Sequence, residues 1–309
     1  MSARLALGIP AKNEEAVLNR LLDSADAQTI PFDQVLLYDD ASTDRTAEIG
    51  AQRGLTVVRG HTSMGPSHGK NVLAGRTGCD WIHFHDADEA LHPEFVAHAR
   101  TWMVKDDLDV VLFGTEERDN DSGRWMQSRT WDDGALQADP VRYAILNTIT
   151  NCGIYRRESF LRAGGFDTSP AKKYNEDQAM HLRLACAGLR FRADDLIGVI
   201  VYRRPVSMSA SHPLECARAQ VEVLKETAAA TGNRYAREIG GRLWRLAGVL
   251  GAHSDWEYVK AALQLATSIG YADPADEHWA VRLGARVSPV GVVAAREAFI
   301  RVLKPSLRA

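Results

Sequence analysis

Short apolar runs alternate with segments of helical period through the first third of this chain, and that alternation limits the fold more than any other feature. Leu5–Ile9, Gln34–Tyr38, Leu55–Val58 and Trp81–His85 read as buried strands. Between them, Asn13–Ala27 places apolar residues at Ala16, Val17, Leu18, Leu21, Leu22 and Ala25, which is helical spacing. Ser42–Arg53 reads as a second helix capped by Ser42, and Asn71–Gly75 as a short third. His61–Gly69, rich in Gly, Ser and Pro, reads as a loop, and Pro93 sits where a helix would begin. This β-α-β-α order predicts an α/β fold with a mostly parallel sheet flanked by helices. Ligands of such sheets collect at the carboxyl ends of the strands. Pro10-Ala11, Asp39-Asp40 and Asp86-Ala87-Asp88 each follow directly after a strand, so all three turns are expected on one rim.

Beyond this part the pattern is mixed. Val110–Phe113 and Ile154-Tyr155 read as strands, and Asp177–Gly188 as a helix ended by glycine. After about Pro213 the chain becomes mostly helical, which places a boundary near residues 205–215. Two basic, apolar stretches, Arg234–Leu250 and Arg286–Leu307, fit either a helical subdomain or a helix face on an anionic membrane surface. A net charge of −3 gives no support to a nucleic-acid partner. The four cysteines, Cys79, Cys152, Cys186 and Cys216, show no C-x-x-C spacing, so a reducing, cytoplasmic compartment is expected. Leu5–Ile9 is too short for a signal peptide, and no apolar stretch approaches the roughly 18 residues of a membrane span.

Three acidic groups carry the chemistry. Asp86 and Asp88 flank one small residue just past a strand and can share a cation, and hard ions such as Mg²⁺ or Mn²⁺ favour such oxygen ligands. Taken alone, this is equally a solvated acidic turn. Asp39-Asp40 can accept a hydrogen bond from a nucleobase or serve helix capping. Glu176-Asp177 opens a predicted helix, where the dipole stabilises an anion and a carboxylate can take a proton from a hydroxyl. His83 and His85 share one face of their strand beside Asp86, which suits a structural role or an approach to a ligand. Trp125 and Trp131 can stack on a sugar or fill the core.

The order of these signals resembles glycosyltransferase family 2, with its GT-A fold. Ile9–Glu15 is similar to the family's opening strand and turn, Tyr38–Asp44 to its D-D-x-S-x-D turn, and Gly69–Gly75 to its donor loop and following helix. Asp86-Ala87-Asp88 matches its metal motif, and Ala163–Asp167 with Asn175-Glu176-Asp177 and Leu182–Gly188 resembles its acceptor-side segment. The resemblance covers roughly residues 4–210. It implies a catalytic domain at 1–210, with a nucleotide-sugar part at about 1–105 and an acceptor part at about 106–210, followed by a helical region at 211–309.

The resemblance also implies roles. Pro10, Ala11 and Asp40 would line the base pocket, with Asp40 facing uracil. Glu14, Lys70 and Asp86 would join the donor site, with Asp86 towards the ribose or sugar. Asp88 would hold Mn²⁺ or Mg²⁺, and Asp177 would be the general base of an inverting transfer. The partners implied are a nucleotide-sugar donor and a saccharide or polyprenyl-linked acceptor, with peripheral membrane association. Two positions depart from the family pattern. Lys12 stands where an aromatic residue often stacks on the base, and Pro205 stands about where a late metal-binding His falls, leaving nearby His212 as the candidate ligand. Two rivals use similar folds: a nucleotidyltransferase making nucleotide-sugars, opposed by the lack of an early Gly-rich, Arg-Lys phosphate turn, and a non-catalytic scaffold.

Overall fold

A computed structural model describes residues 3–204, 211–272, 274 and 278–304 of the 309-residue chain. It divides into two compact units. The first holds residues 3–144, Ile149–Thr168 and 176–204, and the second holds Ile145–Thr148, Ser169–Asn175 and the described residues from 211 onwards.

The first unit is built on a nine-stranded sheet. Strands β1 (Leu5–Ala11), β2 (Gln34–Asp39), β3 (Thr56–Arg59) and β4 (Trp81–Phe84) lie parallel in the order β3-β2-β1-β4. Every residue of β1 is buried, as expected for a central strand covered on both faces. Helices α1 (Leu18–Asp26), α2 (Thr46–Gln52) and α3 (Pro66–Arg76) make the crossovers. Pro66 begins α3, so part of the expected loop is helical, and its fixed φ suits a first turn that needs no N–H partner.

The parallel order ends at β4. Past helix α4 (Phe95–Met103), the strands β6 (Val110–Asp119), β8 (Gly153–Arg156) and β9 (Phe191–Arg203) extend the sheet. β8 lies antiparallel between β4 and β6, while β6 and β9 run parallel. The two-residue β5 (Ala90-Leu91) pairs antiparallel with β9, and β7 (Trp125–Arg129) forms a fully exposed hairpin arm on β6. Because β8 opposes β4, the chain enters it at the carboxyl end of β4, where Asp86 and Asp88 stand. Helices α5 (Asp133–Ala138), α6 (Pro140–Leu146) and α7 (Arg157–Arg162) are short, and helix α8 (Glu176–Cys186) opens with the second acidic pair.

The core of this unit is aromatic. Phe84 meets Phe160 at 5.2 Å and Phe166 at 5.4 Å between ring centroids, in the tilted and edge-on geometries that aromatic pairs favour. The second unit is helical: α9 (Pro213–Thr231), α10 (Ala236–Ala252), α11 (Trp256–Ser268), α12 (Trp279–Ala285) and α13 (Pro289–Leu303). Leu243, Ala247, Leu250, Val259, Ala262 and Ala266 fill its interior. Among the described residues, no helix is long and apolar enough to cross a membrane.

Gly153 is the tightest point where β8 joins the sheet. A Cβ there would lie 2.9 Å from the Val111 carbonyl oxygen, a backbone atom that cannot swing aside. Gly153→Ala is therefore expected to lower stability by about 1–3 kcal/mol, read as a fall in the urea midpoint at unchanged slope.

Candidate active site

The turn after β1 and the turn after β2 are bound into one rim. Asn13 adopts a left-handed φ of 56°, and its amide donates to Ser42 Oγ at 3.0 Å. The Glu14 amide donates to Thr46 Oγ1 at 2.8 Å, and the Thr43 amide to Asn13 Oδ1 at 2.9 Å. This lacing uses residues 13–15, so α1 starts at Leu18 instead of Asn13, and α2 at Thr46 instead of Ser42.

Asp40 is buried, and its carboxylate accepts three hydrogen bonds from one loop. Oδ1 accepts the Met64 amide at 2.7 Å, while Oδ2 accepts the Gly65 amide at 2.9 Å and the Ser63 hydroxyl at 2.8 Å. The carboxylate expected to meet a uracil N–H thus holds the loop before α3. Pro10 and Ala11 end β1 alongside Tyr38 and Asp39 of β2. Gly69 packs on the same place, where a Cβ would come within 2.6 Å of the Tyr38 ring and 3.2 Å of Pro10 Cβ.

Lys70, expected among the donor contacts, is 1% exposed and bridges the two acidic motifs. Its Nζ lies 3.2 Å from Asp86 Oδ1 and 3.7 Å from Asp177 Oδ1. Burial alone would lower the pKa of this ammonium, but the charges of Asp86, Asp177 and Glu176 outweigh it and hold the pKa above its ordinary value. Asp177 Oδ2 accepts the Asn151 amide at 3.1 Å, and buried Oδ1 has no hydrogen-bond donor. Burial pushes the Asp177 pKa up, against the pull of Lys70. Its neighbour Glu176 is raised to about 7 by burial and then by Asp177.

The metal-motif side is acidic as well. Asp88 lies 3.2 Å from Arg204 Nη2, and Glu14 lies 3.6 Å from the same atom. Arg20 donates to the Asp88 carbonyl at 2.6 Å while stacking on Tyr202. Burial raises the pKa of Glu14, Asp88 and Glu89, and in each case a neighbouring aspartate adds to it: Asp88 for Glu14, and Asp86 for the other two. Arg204 opposes this rise at Glu14 and Asp88, and Lys70 opposes it at Glu89. Among the described residues, no group of three or more His, Cys, Asp or Glu is arranged to hold a metal unaided. His212 belongs to the second unit, at the start of α9, with its ring stacked on Tyr174 at 4.9 Å. Pro205 lies outside the described residues.

Two buried histidines underlie the rim. His83 Nδ1 lies 2.8 Å from the Gly153 carbonyl and must donate to it, so His83 Nε2 carries a lone pair. His85 Nδ1, 2.8 Å away, then donates to that lone pair and leaves His85 Nε2 as a bare acceptor, 3.9 Å from Glu89. Burial drives the His83 pKa well below its ordinary value and that of His85 down to about 3. Trp131 is buried and donates to the Phe113 carbonyl, whereas Trp125 stands exposed on β7.

This arrangement offers a strand-end carboxylate pair on an acidic rim and a helix-start carboxylate positioned by Asn151 and Lys70. Residues 7–163 of the chain match Glycosyl transferase family 2. The chain belongs to this family.

Three relatives lie within bacteria. A glycosyltransferase of Haemophilus influenzae, named as uncharacterized, is 33% identical over 91 residues, 29% of this chain and 31% of that protein. The 4,4'-diaponeurosporenoate glycosyltransferase of Staphylococcus haemolyticus is 37% identical over 97 residues, 29% of this chain and 26% of that protein. The poly(ribitol-phosphate) beta-N-acetylglucosaminyltransferase TarS of Staphylococcus aureus is 26% identical over 155 residues, 48% of this chain and 26% of that protein. The chain thus spans about a third or less of these curated relatives.

Solved structures extend the likeness in fold. TarS 1-349 in complex with UDP-GlcNAc superposes with a TM-score of 0.71 at 18% identity, over 96% of this chain and 91% of that one. The mannosyltransferase PcManGT of Pyrobaculum calidifontis, in complex with GDP-Man and Mn²⁺, gives 0.59 at 17% identity, over 100% and 84%. The GT-A fold expected from the sequence is the fold observed, and a helical C-terminal region accompanies it.

The histidine pair generates a direct prediction. His83 and His85 are expected to stay neutral, as Nδ1–H tautomers, from pH 8 down to about 5, read from imidazole ¹⁵N shifts. Protonation of either within that range would contradict the hydrogen-bond chain.

Proposed function

We propose that the protein is an inverting, divalent-metal-dependent glycosyltransferase. Its donor is a UDP-sugar, and its acceptor is a saccharide or polyprenyl-linked saccharide. The observation that carries this reading is Lys70, whose buried ammonium draws Asp86 of the strand-end motif and Asp177 of α8 to one point. Family membership and the likeness to GT-A structures with bound nucleotide-sugars support it.

In this reading Pro10, Ala11 and Asp40 line the base pocket, with Asp40 facing the uracil while it also holds the loop before α3. Asp86 faces the ribose or sugar, and Glu14 adds negative charge beside Asp88. The Asp177 carboxylate takes the proton of the acceptor hydroxyl. The hydroxyl oxygen bonds to the anomeric carbon from the side opposite the diphosphate, and the carbon–oxygen bond to the diphosphate breaks with its electron pair, so configuration inverts. Asp88, with Asp86, would hold Mn²⁺ or Mg²⁺, and the raised pKa values around them fit a site short of positive charge. When bound, such an ion supplies positive charge to the leaving diphosphate.

Calorimetry with UDP, and GDP and CDP as controls, tests the donor site. UDP is expected to bind with Mn²⁺ and to weaken about tenfold or more, roughly 1.4 kcal/mol, in Asp88→Asn. His212→Ala weakens it too if that imidazole completes the ligand set. Asp177→Asn should keep UDP binding and lose turnover by about 10²- to 10⁴-fold. No nucleotide binding under any metal condition would overturn the reading.

Peripheral attachment to the cytoplasmic face of a membrane belongs to the same proposal. On α13, Phe299, Val302 and Leu303 are exposed near Arg296 and Lys304, a mixture suited to an anionic lipid surface. The protein should sediment with phosphatidylglycerol vesicles and not with phosphatidylcholine vesicles, and Phe299→Asp should abolish this. Equal recovery in both supernatants would remove the membrane from the proposal.

A further inference from the structure

Asn151 stands outside every motif that the sequence singled out, yet it touches both halves of the acidic centre. It is 6% exposed and immediately precedes the Cys152-Gly153 entry into β8. Its side-chain Nδ2 donates to the Phe84 carbonyl at 2.9 Å, at the last residue of β4 and two positions before Asp86. Its main-chain amide donates to Asp177 Oδ2 at 3.1 Å. The amide cannot be flipped, because that would set Oδ1 against the Phe84 carbonyl, acceptor against acceptor.

Two neighbouring features make this link rigid. Gly153 pairs with Leu112, and the Cys152 carbonyl accepts the Phe113 amide at 3.0 Å, so the ladder with β6 holds the Asn151 segment in register. Farther along β8, Tyr155 donates its hydroxyl to His181 Nε2 at 2.9 Å, while His181 Nδ1 donates to the Asp177 carbonyl at 2.8 Å. The main chain of Asp177 is therefore fixed from Tyr155, and its carboxylate from Asn151. The Asn151 bond occupies Oδ2 alone, and Oδ1 is the buried oxygen left without a donor. Asn151 Oδ1 is likewise buried without a partner, which costs about 1–3 kcal/mol that a purely structural apolar side chain would not incur.

The geometry points to Asn151 as a positioning residue that ties Asp177 to the end of β4, holding the base in register with the turn that bears Asp86 and Asp88. This rests on the reading of Asp177 as the base. The side-chain bond to Phe84 fixes the asparagine, and the fixed main-chain amide then holds Oδ2 and sets the orientation of the carboxylate, with Oδ1 on the side of Lys70. A displacement of a reacting group by about 1 Å can cost on the order of a hundredfold in rate.

The test compares the full-length protein with Asn151→Ala, Asn151→Leu and Asp177→Asn, using UDP release from UDP-GlcNAc with Mn²⁺. Both Asn151 variants are expected to lose about 10- to 100-fold in kcat, while KM for UDP-GlcNAc and the calorimetric Kd for UDP stay within about threefold. The acidic limb of the pH–kcat profile should also move to higher pH, because a hydrogen bond to the ionised carboxylate lowers its pKa and loosening that bond raises it. Full activity in Asn151→Leu would show that bulk alone suffices and would overturn the proposal. Loss of UDP binding in step with kcat would reduce Asn151 to a structural part and overturn it too. Full activity in Asp177→Asn would instead sink the assignment of the base. Should the Asn151 variants fail to fold, the wild-type amide resonance of Asn151 decides: it should move upfield in Asp177→Asn, and an unmoved resonance refutes the link.

Discussion

The acidic centre of this protein depends on one buried ammonium. At 3.2 Å from Asp86 and almost fully removed from water, Lys70 interacts with that carboxylate by on the order of 5 kcal/mol at an effective dielectric of about 20, before desolvation is counted. Removing one partner of such a pair leaves a buried charge uncompensated, typically at about 3–5 kcal/mol. Lys70 also lies beside Asp177, so one cation from α3 holds a strand-end carboxylate and a helix-start carboxylate that lie far apart in sequence. The sheet supplies the register for this meeting. β4 carries Asp86 past its carboxyl end, and antiparallel β8 returns to that end carrying the residues that hold Asp177.

The polar groups beneath the rim are arranged so that no charge is spent on them. His83 and His85 stay neutral, one donating to the Gly153 carbonyl and the other to its neighbour's ring. His181, with a pKa pulled down to about 4 by burial, is likewise a neutral link between Tyr155 and the Asp177 carbonyl. Three imidazoles therefore tie β4, β8 and α8 together without adding cations that would compete with Lys70 for the carboxylates. The raised pKa values of Glu14, Asp88, Glu89 and Glu176 follow first from burial and then from the neighbouring aspartates, which Arg204 and Lys70 only partly offset.

The strands that organise the site were legible because their apolar runs are short and bounded by turn residues, with β1 and β4 fully buried. β1 to β4 fall within one or two residues of the positions that periodicity predicts. The acidic turns were legible as motifs, since a carboxylate just past a strand needs only local sequence to be placed. What escaped was whatever depends on distant partners. β9 carries Asp194 and Asp195 within its length, so its periodicity is broken, and its pairing with β6 and β5 makes it a strand. The hold of Asp40 on the loop before α3 escaped as well, because its three donors come from Ser63–Gly65, which no local pattern connects to it. Asn151 reads as an ordinary loop polar residue in Thr150-Asn151-Cys152-Gly153. Only the antiparallel return of β8 gives it meaning.

The two counter-charges of the centre differ in how easily they can be exchanged. Lys70 is 1% exposed and held on every side, so its pairing with Asp86 and Asp177 is a fixed part of the fold. Arg204, at the end of β9, is 36% exposed, and Asp88 beneath it is 34% exposed. A pair this open to solvent contributes about 0–1 kcal/mol, because water and salt screen it and the arginine loses rotamer freedom in forming it. Giving up that contact therefore costs little, whereas giving up the Lys70 contact would leave two carboxylates facing each other in a dry site. The two counter-charges therefore leave Asp88 free to change partner while Asp177 stays where Lys70 and the Asn151 amide hold it.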